Sequence, residues 1–533
     1  MSASHAESEE RTRAGGWLDR IERLGNALPD PTTLFLLGAV AVVLLSQVAV
    51  SLDWTVEKTI SRELVDPITG VATRELVQQP VKALSLLSAD GVYWMLNSMV
   101  ENFVRFPPLG IVLVGMLGIG VAEKSGFIGS LLKATLMAVP RWLLTPTIFF
   151  VGVMSSMGLD AGYVVLPPLA AALFAAVGRS PLVGLAAVFA GVSAGFSANL
   201  FVTSLDPLLG ALSTAGAQLI DPTVRVAANA NLWFMQASTV LLTLVGWAVT
   251  AWWVEPRFAQ LPASEGGPVP VTQEDLDRQR LSAVEKRALL LACGAAAATL
   301  LGVVSLTLIP GAPLFGLDGV FPRWVKVIVP VIFVAFLVPG LVYGAAVGVI
   351  RNDKDAAKMM SETMAGMGPY LVLAFFAGQF IAYFAHSGLG EMLALSGGQM
   401  LARAELSSSA LMVGFIGLVM LANLLIGSMS AKYAFFAPVF VPMFMQVGIS
   451  AELTQAAYRV GDSVSNVITP LNPYMVILLV FMQRYAPRAG IGSLVALMLP
   501  YMLVFAVAWT ILLTAWIGLG LPLGETGPLT YAP

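Results

Sequence analysis

Long uncharged runs set the pattern of this chain. Thr33–Leu52 is twenty residues without a charge, and similar runs cover about 231–254, 288–310, 325–350, 369–386, 408–427 and 491–518. A helix rising 1.5 Å per residue needs about 20 apolar residues to cross roughly 30 Å of hydrocarbon, so each run predicts a transmembrane helix. Two regions are apolar but punctuated by proline. The first, 107–200, holds Pro107-Pro108, Pro140, Pro146 and Pro167-Pro168. The second, 428–483, holds Pro438, Pro442, Pro470 and Pro473. Residues 53–90 are polar and rich in Thr and Val, which predicts an ordered loop outside the membrane with short strands.

Composition agrees with a polytopic all-α membrane protein. Of 533 residues 57% are hydrophobic and 11% charged, far below the roughly 25% charge that a water-facing globular surface carries. The mean hydropathy is +0.82. Dividing the length by about 150 would suggest three or four soluble domains, a division that runs this apolar contradict. A net charge of −3 points to no nucleic-acid partner; the expected surroundings are membrane lipid. Cys293 is the single cysteine and the only histidines are His5 and His386, so disulfides and thiolate metal cages are excluded.

The N-terminal segment 1–31 is polar, and its acidic cluster of Glu7, Glu9 and Glu10 does not resemble a cleavable secretory signal. Arg11, Arg13, Arg20 and Arg23 precede the first run, and Arg257, Arg278, Arg280, Lys286 and Arg287 fill the polar linker 255–287. Arg351, Lys354 and Lys358 occupy a later loop, and Arg484 and Arg488 the last one. Counted as Lys and Arg near span ends, these place the N-terminus, the linker and both loops in the cytoplasm, in the inner (plasma) membrane. The predicted organisation is a cytoplasmic segment 1–31, a membrane half 32–254 with the external loop 53–90, the linker 255–287, a second membrane half 288–518 and an external tail 519–533.

The two proline-rich regions repeat each other. Ser156-Met157, Asp160 and Pro167 precede Ser197-Ala198-Asn199 and Leu205-Asp206-Pro207. Ser428-Met429, Lys432 and Pro438 precede Ser465-Asn466 and Leu471-Asn472-Pro473. Interrupted helices at matching places in two halves are the sequence mark of a transporter's central site, because irregular backbone survives at membrane depth only where it lines a protein cavity.

Ionisable residues cluster in this repeat, and a charge at the middle of a membrane helix costs about 2.5–3.5 kcal/mol on insertion scales. Asp206 reads as a transport residue or as the cap of a helix beginning at Asp-Pro. Arg459 and Asp462 lie three apart, on one helical face where they could pair, and Arg459 reads equally as positioning Asp462 or as meeting substrate. Lys432 and Asp160 face substrate or sit in water at a hairpin tip. Asn199, Asn423 and Asn466 offer oxygens to a hard monovalent cation or hydrogen-bond between helices. His386 and the Trp252-Trp253 pair read as interfacial residues.

Three stretches carry a family resemblance: Gly195–Pro207 (GFSANLFVTSLDP), Gly427–Pro442 (GSMSAKYAFFAPVFVP) and Ala456–Pro470 (AAYRVGDSVSNVITP). In order and over essentially the whole chain, the sequence resembles the AbgT family of p-aminobenzoyl-glutamate transporters. The resemblance implies about nine transmembrane helices plus two re-entrant hairpins in an inverted repeat, assembled as a homodimer. It implies import of p-aminobenzoyl-glutamate or export of sulfonamide antimetabolites. It further implies that Asp206, Ser430, Arg459, Asp462 and Pro470 serve transport and that Asn423 and Asp462 form a sodium site. Where the family often has tryptophan after Ser-Ala-Lys, this chain has Tyr433.

No cofactor is expected beyond a coupling ion, Na+ or H+. Other readings are a dicarboxylate symporter of the same architecture, an intramembrane enzyme or a channel. A hydrolase lacks support, since there is no HExxH and no histidine near the repeat serines. Paired broken segments suit a site that binds rather than a continuous pore.

Overall fold

The computed structural model describes residues 31–65, 72–158, 161–269, 281–318, 321–469, 471–472 and 474–532. Asp160, Pro470, Pro533, most of the segment 1–31 and the middle of the linker lie outside the described residues.

Helices of ten residues or more are numbered in chain order. The first, α1 (Pro31–Ser51), is followed by an antiparallel ribbon of β1 (Thr55–Val65) and β2 (Ala72–Lys82), the strands expected in loop 53–90. Next come α2 (Ala89–Val104), α3 (Pro107–Lys124) and α4 (Phe127–Met137). The α2–α3 pair forms a 36-residue apolar stretch long enough to cross a membrane, a span the sequence reading did not separate from the proline-rich region. Pro107 starts α3 without cost, because a first-turn residue has no helical partner for its N–H.

The first repeat follows as α5 (Leu144–Met154), α6 (Ala161–Ala176), α7 (Pro181–Ala194) and α8 (Leu205–Ala217). After α9 (Leu232–Val249), whose last turns run on to Phe258, come α10 (Ala283–Leu308), α11 (Ile328–Val347), α12 (Asp353–Gly366), α13 (Gly368–His386) and α14 (Leu389–Arg403). The second repeat is α15 (Ser408–Asn423), α16 (Met429–Met445), α17 (Ala451–Ser465) and α18 (Tyr474–Gln483), and α19 (Ile491–Gly518) closes the chain.

Seven helical stretches among the described residues, one of them the broken α2–α3 pair, are long and apolar enough to span a membrane. The interrupted helices α7–α8 and α17–α18 supply two more crossings, giving the nine-helix plan with two hairpins, α5/α6 and α15/α16. Run 408–427 is therefore not a full span. Its helix stops at Asn423, and the chain turns back into α16, capped by Ser428 whose hydroxyl accepts from the Ala431 N–H. Leucines on α10, such as Leu290, Leu301 and Leu308, are exposed in the protein alone, as a lipid-facing helix requires.

Side-chain bonds sort the loops to two ends. At one end Arg179 pairs with Glu255 at 2.5 Å and reaches Thr145 at 2.8 Å, Ser180 bonds to Gly266, and Lys124 pairs with Glu362. At the other, Leu84 bonds to Ser387, Lys58 pairs with Glu391, and Ser450 bonds to Leu529 and Pro528. Hairpin α5/α6 opens at the first end and α15/α16 at the second, so the copies are inverted. The packing shows the same exchange. Helix α8 packs on α16 of the other repeat while α18 packs on α6, through Ser213 against Tyr433 in one contact and stacked Tyr163 and Tyr474 (4.1 Å) in the other.

Cysteines placed at Ser264 and Lys354 on one end, and at Leu87 and Leu406 on the other, test this sorting in a Cys293→Ser background. An impermeant maleimide applied to intact cells should label one pair and spare the other; labelling across both pairs would break the topology.

Candidate functional site

Helix α17 is buried along all of its fifteen residues, yet it is polar on one side. Glu452, Gln455, Arg459 and Asp462, followed by Asn466 just past its end, recur at intervals of three and four, which draws one stripe down the helix. Each group on such a stripe must find a partner, because an unpaired buried charge costs several kcal/mol.

Two ion pairs answer that requirement. Arg459 Nη2 lies 2.5 Å from Asp206 Oδ1, joining the second repeat to the first turn of α8. Asp206 Oδ2 accepts from the N–H (2.6 Å) and hydroxyl (2.8 Å) of Thr203, so this carboxylate is both the brace of a helix start and an ion-pair partner. Lys432 Nζ lies 2.6 Å from Asp462 Oδ1, both side chains fully inaccessible. An Arg459–Asp462 pair, which their spacing allows, does not form. Basic-before-acidic is the weaker order along a helix, and each residue has a better-placed partner on another element. Lys432 is likewise not a wet hairpin tip. It sits in the first turns of α16, aimed back into the protein.

The lysine ammonium spends its three donors on Asp462, on Asn423 Oδ1 at 2.5 Å and on the Ile426 carbonyl at 3.4 Å. Asn423, at the end of α15, in turn donates to the Asp462 carbonyl (2.8 Å), Ser465 Oγ (2.9 Å) and Asn466 Oδ1 (2.8 Å). Tyr458, one turn before Asp462, donates to the Met429 carbonyl and approaches Asp462 Oδ1 at 3.2 Å. Two buried atoms in this cluster have no partner: Asp462 Oδ2 and Arg459 Nε. An open acceptor and an open donor thus stand one turn apart on α17.

The two helix breaks lie against each other. Ser197 N–H donates to Ser463 Oγ at 3.2 Å, and Asn472 Nδ2 donates to Ser193 Oγ (3.1 Å) and to the Asn466 carbonyl (3.0 Å). Asn199 accepts from Ser156 at the first hairpin tip at 3.1 Å, the counterpart of Asn466 with Asn423. No hydrogen bond links Asn199 directly to Asn466 among the described residues. Asp206 and Asp462 do not face each other across a gap; both are tied to α17 or borne by it. Ser430 is half-buried near the second tip, 3.4 Å from Ser428 Oγ. Pro470 lies outside the described residues.

Two glycines let tips and breaks touch. A Cβ at Gly195 would strike Val153 at 2.5 Å, and one at Gly427 would meet Leu471 at 3.0 Å. At the end of α13, His386 is exposed and stacks on Trp94 at 3.7 Å. Trp252 and Trp253 are also exposed. None of the three belongs to the cluster. The sequence reading passed over Tyr458, Ser463 and Ser193. Tyr458 carried a signal in its i,i+4 spacing to Asp462, whereas the serines are ordinary in an apolar helix and only the crossing of the two breaks singles them out.

Paired inverted hairpins, broken helices and a buried charge cluster where they cross define a secondary-transporter type of membrane protein. A family pattern described as "AbgT putative transporter family" matches residues 16–531, and the chain belongs to the AbgT family of transporters. It is 34% identical over 516 residues to the p-aminobenzoyl-glutamate transport protein of Escherichia coli (strain K12), covering 96% of this chain and 95% of that one. Among solved structures, the YdaH transporter of Alcanivorax borkumensis is similar at TM-score 0.83 and 41% identity, covering 93% of this chain and 100% of that chain. MtrF of Neisseria gonorrhoeae, described with a class of antimetabolite efflux pumps, is similar at TM-score 0.85 and 39% identity, with 96% and 100% covered.

Removing one member of a buried pair strands the other, at about 3–5 kcal/mol. Arg459→Gln should therefore lower the unfolding temperature in detergent sharply, and Asp206→Asn in the same chain should recover most of the loss. Independent, additive losses would show that the two side chains do not form the bond described.

Proposed function

We propose that this protein is an ion-coupled secondary transporter of the inner membrane, N-terminus in the cytoplasm, that moves p-aminobenzoyl-glutamate or a related aromatic amide bearing carboxylates. The observation that carries this reading is the pair of open atoms on α17. Arg459 Nε offers a donor to an anionic group, and Asp462 Oδ2 offers an acceptor to a coupling cation, Na+ or H+. The similarity to the p-aminobenzoyl-glutamate transport protein of Escherichia coli supports the substrate class. The description of the Neisseria relative supports a second reading, efflux of sulfonamide antimetabolites.

The cation site has a built-in competitor. Asp462 Oδ1 and Asn423 Oδ1 are both engaged by Lys432, so a sodium ion reaches Asn423 only as the lysine withdraws. Asn199 and Asn466 supply further oxygens from the two breaks. A cavity of 630 Å³ lies between α8 (Pro207, Ala211) and the helices α3 (Gly110) and α11 (Val329). It marks the seam along which the repeat unit would move against the surrounding helices, in each protomer of a homodimer.

Proteoliposomes loaded with labelled p-aminobenzoyl-glutamate, with sodium and proton gradients imposed separately and in both directions, test the proposal. Wild-type protein should give gradient-driven flux and Asp462→Ala less than a tenth of it, with dimer and folding retained. Undiminished flux in Asp462→Ala would sink the role given to this carboxylate, and no flux of either substrate class in the wild type would sink the function.

A further inference from the structure

Among the described residues five charged side chains are buried in the interior: Asp206, Lys432, Glu452, Arg459 and Asp462. Four of them pair with each other. Glu452 is left over, with no ion pair among the described residues. It stands in the first turn of α17, at the head of the same polar stripe that ends at Asp462 and Asn466. First-turn N–H groups favour a carboxylate, but that help is smaller than the cost of holding an unpaired charge away from water. A carboxyl so placed can exchange a proton only with water or with a polar neighbour.

Both are at hand. Glu452 lines a cavity of 270 Å³ beneath the 221–231 loop and the C-terminal tail, walled by Thr223, Arg225, Thr526 and Tyr531. With roughly 30 Å³ per molecule this has room for several waters. Inward, Gln455 sits one turn along and accepts from Ser213 Oγ at 2.9 Å, which is 2.6 Å from Tyr433 OH. The Tyr433 ring packs on Tyr458 at 4.3 Å, and Tyr458 reaches Asp462. The groups facing Glu452 are Arg225 from the loop, Tyr531 from the tail and Tyr433 from α16. Asp221, which accepts from Thr223 and Tyr531, is held below the ordinary carboxylate range chiefly by the Thr223 hydroxyl and stays ionised. Arg225 is exposed and spends its Nη1 on the Pro222 and Val224 carbonyls.

We propose that Glu452 is a proton-binding site of the transport cycle, exchanging its proton with the 270 Å³ cavity on the tail side and coupled by its charge along α17 to the Asp462–Lys432 pair. This rests on the reading of the protein as an ion-coupled transporter and selects H+ as a coupling ion. Glu452→Gln keeps the shape and removes the proton site. In proteoliposomes, flux driven by a pH gradient should fall at least tenfold, while exchange of labelled for unlabelled substrate at equal pH on both sides should stay within twofold of wild type. Glu452→Asp should restore part of the pH-driven flux. On a pH step, the infrared band of a protonated carboxyl should be present in wild type and missing in Glu452→Gln. Retained pH-driven flux, or loss of exchange and driven flux together with an unchanged infrared difference spectrum, would overturn the assignment. Absence of any substrate exchange in the wild type would instead overturn the underlying functional reading.

Discussion

Arg459 of the second repeat meets Asp206 of the first at 2.5 Å, and three residues on, Asp462 meets Lys432 at 2.6 Å. These bonds are the condition on which α17 can be central at all. A helix buried on every side and carrying charge is tolerable only if its neighbours bring the opposite charge. The neighbours that do so are α8 and α16, and α15 adds the Asn423 amide that knits the second break to α17. Much of the inner architecture therefore follows from satisfying one stripe.

The same demand governs the backbone. Where α7 and α17 stop, carbonyl and N–H groups lose their helical partners inside an apolar protein. Small hydroxyl and amide side chains take their place: Ser463 for the Ser197 N–H, and Asn472 for the Asn466 carbonyl. Serine and asparagine do this without burying a further charge, and their shortness lets the two breaks cross closely. The cluster is thus built from groups whose first duty is structural, with Asp462 Oδ2 and Arg459 Nε left without a protein partner among the described residues.

Around this unit the contacts change in kind. Helices α3 and α11 meet backbone to backbone, where a Cβ at Gly340 would lie 2.8 Å from Ala122 Cα, and no charge links them. Inside the unit α8 and α16 also approach closely, with Gly216 beneath the Ala437 carbonyl. Between unit and surroundings the 630 Å³ cavity lies only on the α3 and α11 side; α9 and α14 pack tightly on the unit, where a Cβ at Gly246 would strike the Phe149 ring and one at Gly398 would strike Gln446 Cβ.

Much was written in the order of residues alone. Apolar length marked six of the seven long spans, since the cost of exposing backbone to lipid favours a helical crossing for a long uncharged run. Matched serine, asparagine and proline motifs revealed the repeat and put Asp206, Asn199, Asn466 and Asp462 in it. The partners were not legible. Arg459 and Asp462 share a helical face, and local spacing favours pairing them, but Asp206 lies 253 residues from Arg459 in the chain and only folding brings it within reach. For Lys432 the sequence left substrate-facing and water-exposed positions equally open; the fold buries it against Asp462. Span 408–427 read as a crossing because its composition is that of one, and the turn after Asn423 is set by the Lys432 and Ser428 bonds that hold the hairpin shut. Periodicity is a local property and reports which face is buried; which charges meet is decided by how separate elements cross, and that only the tertiary structure contains.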